Sequence, residues 1–240
     1  MVREHSPQTQ SDIAHGHFPP LLPPLQSGDR LTRPEFERRY AAAVHIKKAE
    51  LIEGIVYVAS PLRHEQHGKP HSRVMTWLGV YQAMTSGVDL SVEPTVRLDL
   101  DNEPQPDAVL FIQPDAGGQT QISSDGYIEG SPELIVEIAA SSAAIDTGSK
   151  KQVYCRNGVL EYVIWQSYEN QIEWFGLMDE EYRLLSPDPD GIIRSRVFPG
   201  LWLAVEALLS NQMARVLEVL QVGLQSAEHG AFVEQLGKGK

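Results

Sequence analysis

The stretch S-P-E-L-I-V-E-I-A-A-S, residues Ser131–Ser141, decides how the chain is interpreted. An apolar run from Leu134 to Ile138 follows Pro132, and such a run predicts a buried β-strand. Glu137 interrupts this run, although an unpaired charge is costly to bury. Glu133, beside the proline, is predicted to be an ordinary exposed residue at the start of the strand. Glu137 therefore needs a partner that offsets the cost of burying its charge.

A second strand offers a carboxylate that could share such a partner. In P-Q-P-D-A-V-L-F-I, residues 104–112, Asp107 stands at the start of an apolar run. If this strand neighbours the strand of Glu137, the two carboxylates converge at one edge of a sheet. Oxygen ligands favour Mg²⁺ or Mn²⁺ over Zn²⁺. We therefore expect Glu137 to be held by a metal ion rather than by a salt bridge.

The segment D-T-G-S-K-K-Q-V-Y-C-R-N-G-V, residues 146–159, follows the strand of Glu137 and predicts a helix over residues 148–156. Asp146 is placed to cap this helix, and Tyr154 lies one turn beyond Lys150 on the same face. A lysine in the first turn opposes the helix dipole. Lys150 could therefore orient a nucleophilic water or stabilise an anionic transition state, or it could be a surface lysine.

The remaining patterns predict a mixed α/β chain. Helical spacing of apolar residues predicts helices over residues 70–84 and 205–224, and alternation predicts a strand over residues 90–100. Glu53-Gly54 suits a hairpin turn. We divide the 240 residues into a disordered or loosely packed arm (1–28), one folded domain (29–228) and a flexible tail (229–240).

Composition limits the classes of function. No apolar run approaches the length of about 18 residues that a membrane span needs. A single cysteine, Cys155, and the lack of a signal-peptide core predict a cytoplasmic protein. A net charge of −12 argues against binding by broad phosphate neutralisation. The basic segments 30–48 and 63–73 form either a locally positive rim or solvated surface charge. No G-x-S-x-G or phosphate-binding glycine loop is present.

Taken together, the motifs resemble the Uma-type restriction endonuclease family of the PD-(D/E)xK nuclease superfamily. The resemblance rests on P-D-A-V, P-E-L-I-V-E-I and D-x3-K-x3-Y-x3-G-V-x-E-Y-V-I-W, in that order. It extends to A-E-L-I-E-G-I-V-Y-V-A-S-P, H-G-x3-S-x-V and R-S-R-V-F-P-G-L-W-L, and so covers roughly residues 30 to 210. It implies a restriction-endonuclease-like core, with a central mixed β-sheet flanked by helices, an N-terminal β-hairpin and a C-terminal helix.

The resemblance also implies a set of site residues. Asp107 and Glu137 would bind the metal, with the Ile138 carbonyl as a further ligand. Glu50 matches the acidic residue near the N-terminus of the family, and Glu53 is the competing choice.

Lys150 would be the catalytic lysine, because Ala139 occupies the lysine position of a plain E-x-K motif. His67 and Tyr154 are candidates for the cleft. A zinc site at His64, His67 and His71 is disfavoured because Pro70 interrupts a continuous helix.

The implied activity is Mg²⁺- or Mn²⁺-dependent hydrolysis of DNA phosphodiester bonds, with Lys150 positioning either the water or the phosphate oxygens. A homodimer with no membrane partner is expected, since two sites cut both strands of a duplex most easily. The alternative is a catalytically inactive nuclease fold that acts as a binding or assembly module.

Overall fold

The structure of the protein, a computed structural model, describes residues 22–238. Most of the predicted N-terminal arm, residues 1–21, lies outside the described residues. The rest of that arm has no regular secondary structure, but it packs on the body: Leu25 is buried, and the Val58 amide donates to Ser27 Oγ.

The helices occupy positions close to those predicted from apolar spacing. Within residues 22–238 they are α1 (Arg33–Ala42), α2 (Lys69–Ala83), α3 (Ala143–Ile145), α4 (Lys151–Arg156), α5 (Val205–Leu209), α6 (Met213–Leu224) and α7 (Ala227–Gly237). Wider π-helical turns, His64–Gly68 and Asp146–Lys150, lead into α2 and α4. No helix in this part of the chain is both long and apolar enough to cross a membrane.

The strands form one large sheet and three small ones. They are β1 (Ala49–Ile52), β2 (Ile55–Val58), β3 (Val88–Val92), β4 (Val96–Arg97), β5 (Ala108–Ile112), β6 (Gln121–Ile122), β7 (Ile128–Glu129), β8 (Leu134–Ala139), β9 (Glu161–Gln166), β10 (Gln171–Met178), β11 (Glu181–Leu184), β12 (Ile192–Arg194) and β13 (Trp202–Ala204).

The large sheet is mixed and has six strands in the order β11-β10-β9-β8-β5-β3. The strand of Glu137, β8, lies inside it, parallel to β9 and antiparallel to β5. Ala108, next to Asp107, pairs with Val136, next to Glu137. The prediction that these two strands are neighbours is therefore confirmed.

Both faces of the large sheet are covered, which explains the continuous apolar runs in β5 and β8. On one face Leu134, Val136 and Ile138 pack in a core with α2 and α6. On the other face Ile135 and Ala139 pack with Tyr154 and other aromatic residues. Because side chains alternate along a strand, Glu137 points to the second face, where the helix that follows β8 lies.

Two predicted elements differ in extent. The single strand predicted over residues 90–100 is divided into β3 and β4, because Glu93 adopts a positive φ of 47° between them. The predicted flexible tail, residues 229–240, is largely helix α7 in its described part. Ser226 caps this helix by accepting a hydrogen bond from the His229 amide, and Leu236 is buried.

Glu133 is not the exposed residue that its position beside a proline suggested. It is 3% exposed, and its carboxylate accepts hydrogen bonds from the amides of Ile112 and Gln119 at 2.9 and 3.1 Å. These amides belong to the end of β5 and the connection after it. Glu133 thus satisfies backbone donors that β-pairing leaves free.

Close packing of α6 on the β12–β13 hairpin gives a stability prediction. A Cβ added to Gly223 would lie 2.3 Å from the carbonyl oxygen of Gly200. We expect Gly223→Ala to lower the free energy of unfolding by about 1–3 kcal/mol, as overpacked positions do. Urea denaturation measures this change.

Gly230→Ala, in α7, is the matched control, since an added Cβ there meets nothing within 4 Å. The better helix propensity of alanine should leave that variant as stable as the wild type or more stable. Equal unfolding midpoints for the two variants would contradict the packing argument.

Candidate active site

A cavity of about 190 Å³ lies where β1, β5, β8 and the start of the following helical segment meet. Its walls include the predicted site residues Glu50, His67, Asp107, Glu137 and Lys150. The structure thus brings together five side chains that are far apart in the sequence.

Asp107 is fixed through both carboxylate oxygens. Oδ1 accepts from His67 Nε2 at 2.9 Å, and Oδ2 accepts from the Ile138 amide at 2.7 Å. Burial alone would raise the pKa of Asp107, but these two donors and Lys48 lower it below its ordinary value. Asp107 is therefore an anion at neutral pH, and His67 carries a proton on Nε2.

The histidines predicted to be poor zinc ligands have other partners. His67 binds the Asp107 side chain, and His71 Nε2 lies 3.0 Å from the Asp107 carbonyl, to which it donates. His64 is exposed and is not part of the cavity wall. The pair His67 and His71 therefore positions Asp107 at the start of β5.

Glu137 is only 3% exposed, and its Oε1 accepts from Lys150 Nζ at 3.0 Å and from the Tyr154 hydroxyl at 2.9 Å. Lys150 therefore provides a salt bridge, and the prediction that Glu137 has none is wrong, whereas metal binding at Glu137 stays a prediction. Burial raises the pKa of Glu137 to about 8; Lys150 opposes this rise, and the neighbouring carboxylates add to it.

Lys150 is the centre of the cluster. Its ammonium lies 2.8 Å from Glu50 Oε1, 3.0 Å from Glu137 Oε1 and 3.4 Å from Asp146 Oδ1. Burial acts to lower the pKa of Lys150, but the three carboxylates hold it well above its ordinary value. Lys150 is therefore a buried cation, and the surface-lysine alternative is wrong. Lys151 faces elsewhere, with Nζ over the Phe175 ring.

Asp146 does not cap the helix, because the helical path already begins at Ala143. The wider π-helical turn Asp146–Lys150 instead places both of its end residues inside the protein. Asp146 is 1% exposed, and burial raises its pKa while Lys150 lowers it. Such turns are frequent at functional sites.

The structure separates the two candidates for the N-terminal acidic residue. Glu50, in β1, accepts from the Gln105 amide at 2.7 Å and contacts Lys150. Glu53 occupies the hairpin turn with a φ of 54°, is exposed, and pairs with Arg156. Glu50 is thus the acidic residue placed at the cavity.

Lys48 also lines the cavity, although its sequence position did not single it out. Its Nζ lies 3.8 Å from Asp107 Oδ1. Lys48 is two residues before Glu50, and residues i and i+2 share a face of an extended strand. That spacing is the signal that could have identified it.

The donor chemistry of the cavity fits a hard divalent cation. The nearby carboxylates, Glu50, Asp107, Glu137 and Asp146, outnumber the lysine cations, Lys48 and Lys150. Within residues 22–238, however, no three His, Cys, Asp or Glu side chains are already arranged around a metal position. The ammonium of Lys150 contacts both Glu50 and Glu137.

A larger hollow, of about 550 Å³, lies around Arg97. The acidic side chains that line it, Glu37, Glu103 and Asp125, are all ion-paired with Arg97. Neither Lys150 nor the carboxylates around it line this hollow. The smaller cavity is therefore the candidate active site.

A buried cluster of carboxylates thus lies beside the mixed six-stranded sheet. Residues 33–206 match the Uma2 family, described as "Putative restriction endonuclease", and the chain belongs to that family. This confirms the resemblance drawn from the motifs.

A crystal structure from Anabaena variabilis, described as "a putative nuclease belonging to DUF820", has the same fold. It aligns with a TM-score of 0.53 and 16% sequence identity, covering 68% of this chain and 89% of that chain. No match is found among curated proteins.

The raised pKa of Glu137 predicts how stability depends on pH. The folded state keeps a proton up to about pH 8, whereas the unfolded chain releases it near 4.5. The stabilising contribution of Glu137 is thus complete below about pH 4.5, and it is lost as the pH rises toward about 8. Glu137→Gln should gain stability over the wild type between about pH 5 and about pH 8, by more than about 1 kcal/mol.

Chemical denaturation at several pH values measures this difference. The exposed substitution Glu181→Gln is the control and should track the wild type. A Glu137→Gln curve parallel to the wild-type curve would contradict the assignment.

Proposed function

We propose that this protein is a metal-dependent endonuclease that hydrolyses DNA phosphodiester bonds. The observation that carries the proposal is the cluster of Glu50, Asp107, Glu137 and Lys150 around one cavity. Membership of the Uma2 family supports nuclease chemistry, and the acidic oxygen donors favour Mg²⁺ or Mn²⁺.

In this proposal Asp107, Glu137 and the Ile138 carbonyl hold the ion, and Glu50 completes the set. When bound, the ion would lower the pKa of a water molecule and offset charge on the phosphate. The other residues orient these ligands. His67 and the Ile138 amide fix Asp107, and Tyr154 fixes Glu137. Lys150 provides positive charge beside the attacking water.

A non-catalytic binding or assembly module is the second candidate. The net charge of −12 favours it, because an acidic protein binds nucleic acid weakly. The complete set of Asp107, Glu137 and Lys150 favours the nuclease. Divalent-metal binding and strand cleavage together separate the two candidates, since the nuclease requires both.

Substitution of the two glutamates of the N-terminal hairpin tests the site directly. We expect Glu50→Gln to weaken Mg²⁺ or Mn²⁺ binding at least about tenfold, as is typical when a metal site loses a supporting group. Glu53→Gln should bind like the wild type, because Glu53 points away from the cavity to Arg156. Isothermal calorimetry measures the affinities.

A plasmid-nicking assay on the same proteins, with Glu137→Ala as the inactive reference, then measures strand cleavage. If the wild type shows no response to either ion, or if Asp107→Ala binds the ion unchanged, the proposed mechanism is wrong. Metal binding without cleavage of plasmid DNA would favour the module.

The oligomeric state and the cellular location also belong to the proposal. A homodimer would present two cavities to the two strands of a duplex, and a cytoplasmic location agrees with the single cysteine, Cys155. Size-exclusion chromatography with light scattering measures the oligomeric state.

A further inference from the structure

Two lysines reach the cavity, and their contacts differ in kind. The ammonium group of Lys150 has three N–H donors, and three carboxylates surround it within 3.4 Å. Its side chain is only 4% exposed. Lys150 Nζ donates to Glu137, contacts Glu50 at 2.8 Å and lies 3.4 Å from Asp146 Oδ1, which has no hydrogen-bond partner. An ammonium group so deeply buried among carboxylates is poorly placed to reach a phosphate oxygen.

Lys48 has its ammonium group available. Within residues 22–238 its nearest carboxylate oxygen is Asp107 Oδ1, at 3.8 Å, which is beyond hydrogen-bond distance. Its side chain is 22% exposed, so solvent reaches it from the cavity mouth. The backbone at its base is fixed, because the Ala59 amide donates to the Lys48 carbonyl at 3.0 Å. Lys48 thus has a fixed backbone and an ammonium group whose contact with a carboxylate, Asp107, is a long ion pair rather than a hydrogen bond.

The charge of the cavity makes such a cation necessary. A phosphodiester is an anion, and it would approach a wall that contains Glu50, Asp107 and Glu137. An ion held by these carboxylates offsets part of the repulsion. A second cation that is not already saturated by carboxylates would attract the non-bridging oxygens directly, as lysines commonly do for phosphates.

We propose that Lys48 is the substrate-binding residue that contacts a non-bridging phosphate oxygen of the nucleic acid, while Lys150 acts on the carboxylates and the water. This inference rests on the proposed nuclease function and assigns the phosphate contact to a residue outside the motif set.

Lys47 is a matched control for the test. It carries the same charge one residue away, is exposed, and does not line the cavity. Its backbone is also fixed, since its carbonyl accepts from the Tyr40 hydroxyl at 3.0 Å. Lys47→Met and Lys48→Met therefore remove the same charge from opposite faces of one segment.

The experiment measures binding of a fluorescein-labelled DNA oligonucleotide by anisotropy at several salt concentrations, with Ca²⁺ as the divalent ion. Lys48→Met should weaken binding about tenfold or more, as expected for one lost charge-assisted contact. The slope of log affinity against log salt should fall by about one. Lys47→Met should change affinity less than about threefold, and Lys48→Arg should restore most of the binding.

The same four proteins are assayed for plasmid cleavage in Mg²⁺, and their thermal unfolding confirms that each is folded. If the wild type cleaves and the Lys48 and Lys47 variants bind alike, this inference is overturned while the nuclease function stands. If binding depends on Lys48 but no protein cleaves, the phosphate contact stands and the nuclease function falls. A wild type that neither binds nor cleaves overturns both.

Discussion

The hydrogen bond from the Lys150 ammonium to the Glu137 carboxyl group, at 3.0 Å, is the constraint on which the arrangement around the cavity depends. A carboxylate in the middle of β8 must be compensated, because both faces of the large sheet are covered. The compensating ammonium comes from the segment directly after the strand. The wider helical turn Asp146–Lys150 and helix α4 must therefore pack across the face to which Glu137 points.

Stability alone does not explain this cluster. A buried ion pair contributes little beyond what a well-packed apolar pair would give, since desolvation consumes most of the attraction. Burial raises the pKa of Glu137 to about 8, and the neighbouring carboxylates, which outnumber the cations, add to the rise. Groups held against their preferred ionisation are concentrated at functional sites. The chemistry of the cavity is therefore the better reason for Glu50, Asp107 and Glu137 to converge.

The sequence was sufficient where local patterns coincide with long-range pairing. The apolar runs around Asp107 and Glu137 are both buried strands, and they are neighbours, so these two residues could be placed together in advance. The sequence was insufficient where contacts between distant segments determine the local structure. The break at Glu93, whose amide donates to the Asp107 carbonyl, and helix α7, whose His229 contacts Thr85, depend on partners far along the chain. No periodicity within one segment reports such partners.

The basic segment 30–48 shows how the structure changes the electrostatic picture. Arg38 and Arg39 both pair with Glu35, and Arg39 also lies 3.7 Å from Asp29, so two carboxylates offset the two arginine charges. The positive rim predicted from composition is correspondingly reduced, and Lys48 is the member of the segment that lines the cavity. A protein with a net charge of −12 gains little from long-range attraction to DNA. Its binding of a phosphate must then come from a few short-range contacts, and Lys48, with a fixed backbone and only a long ion pair to Asp107, is suited to make one.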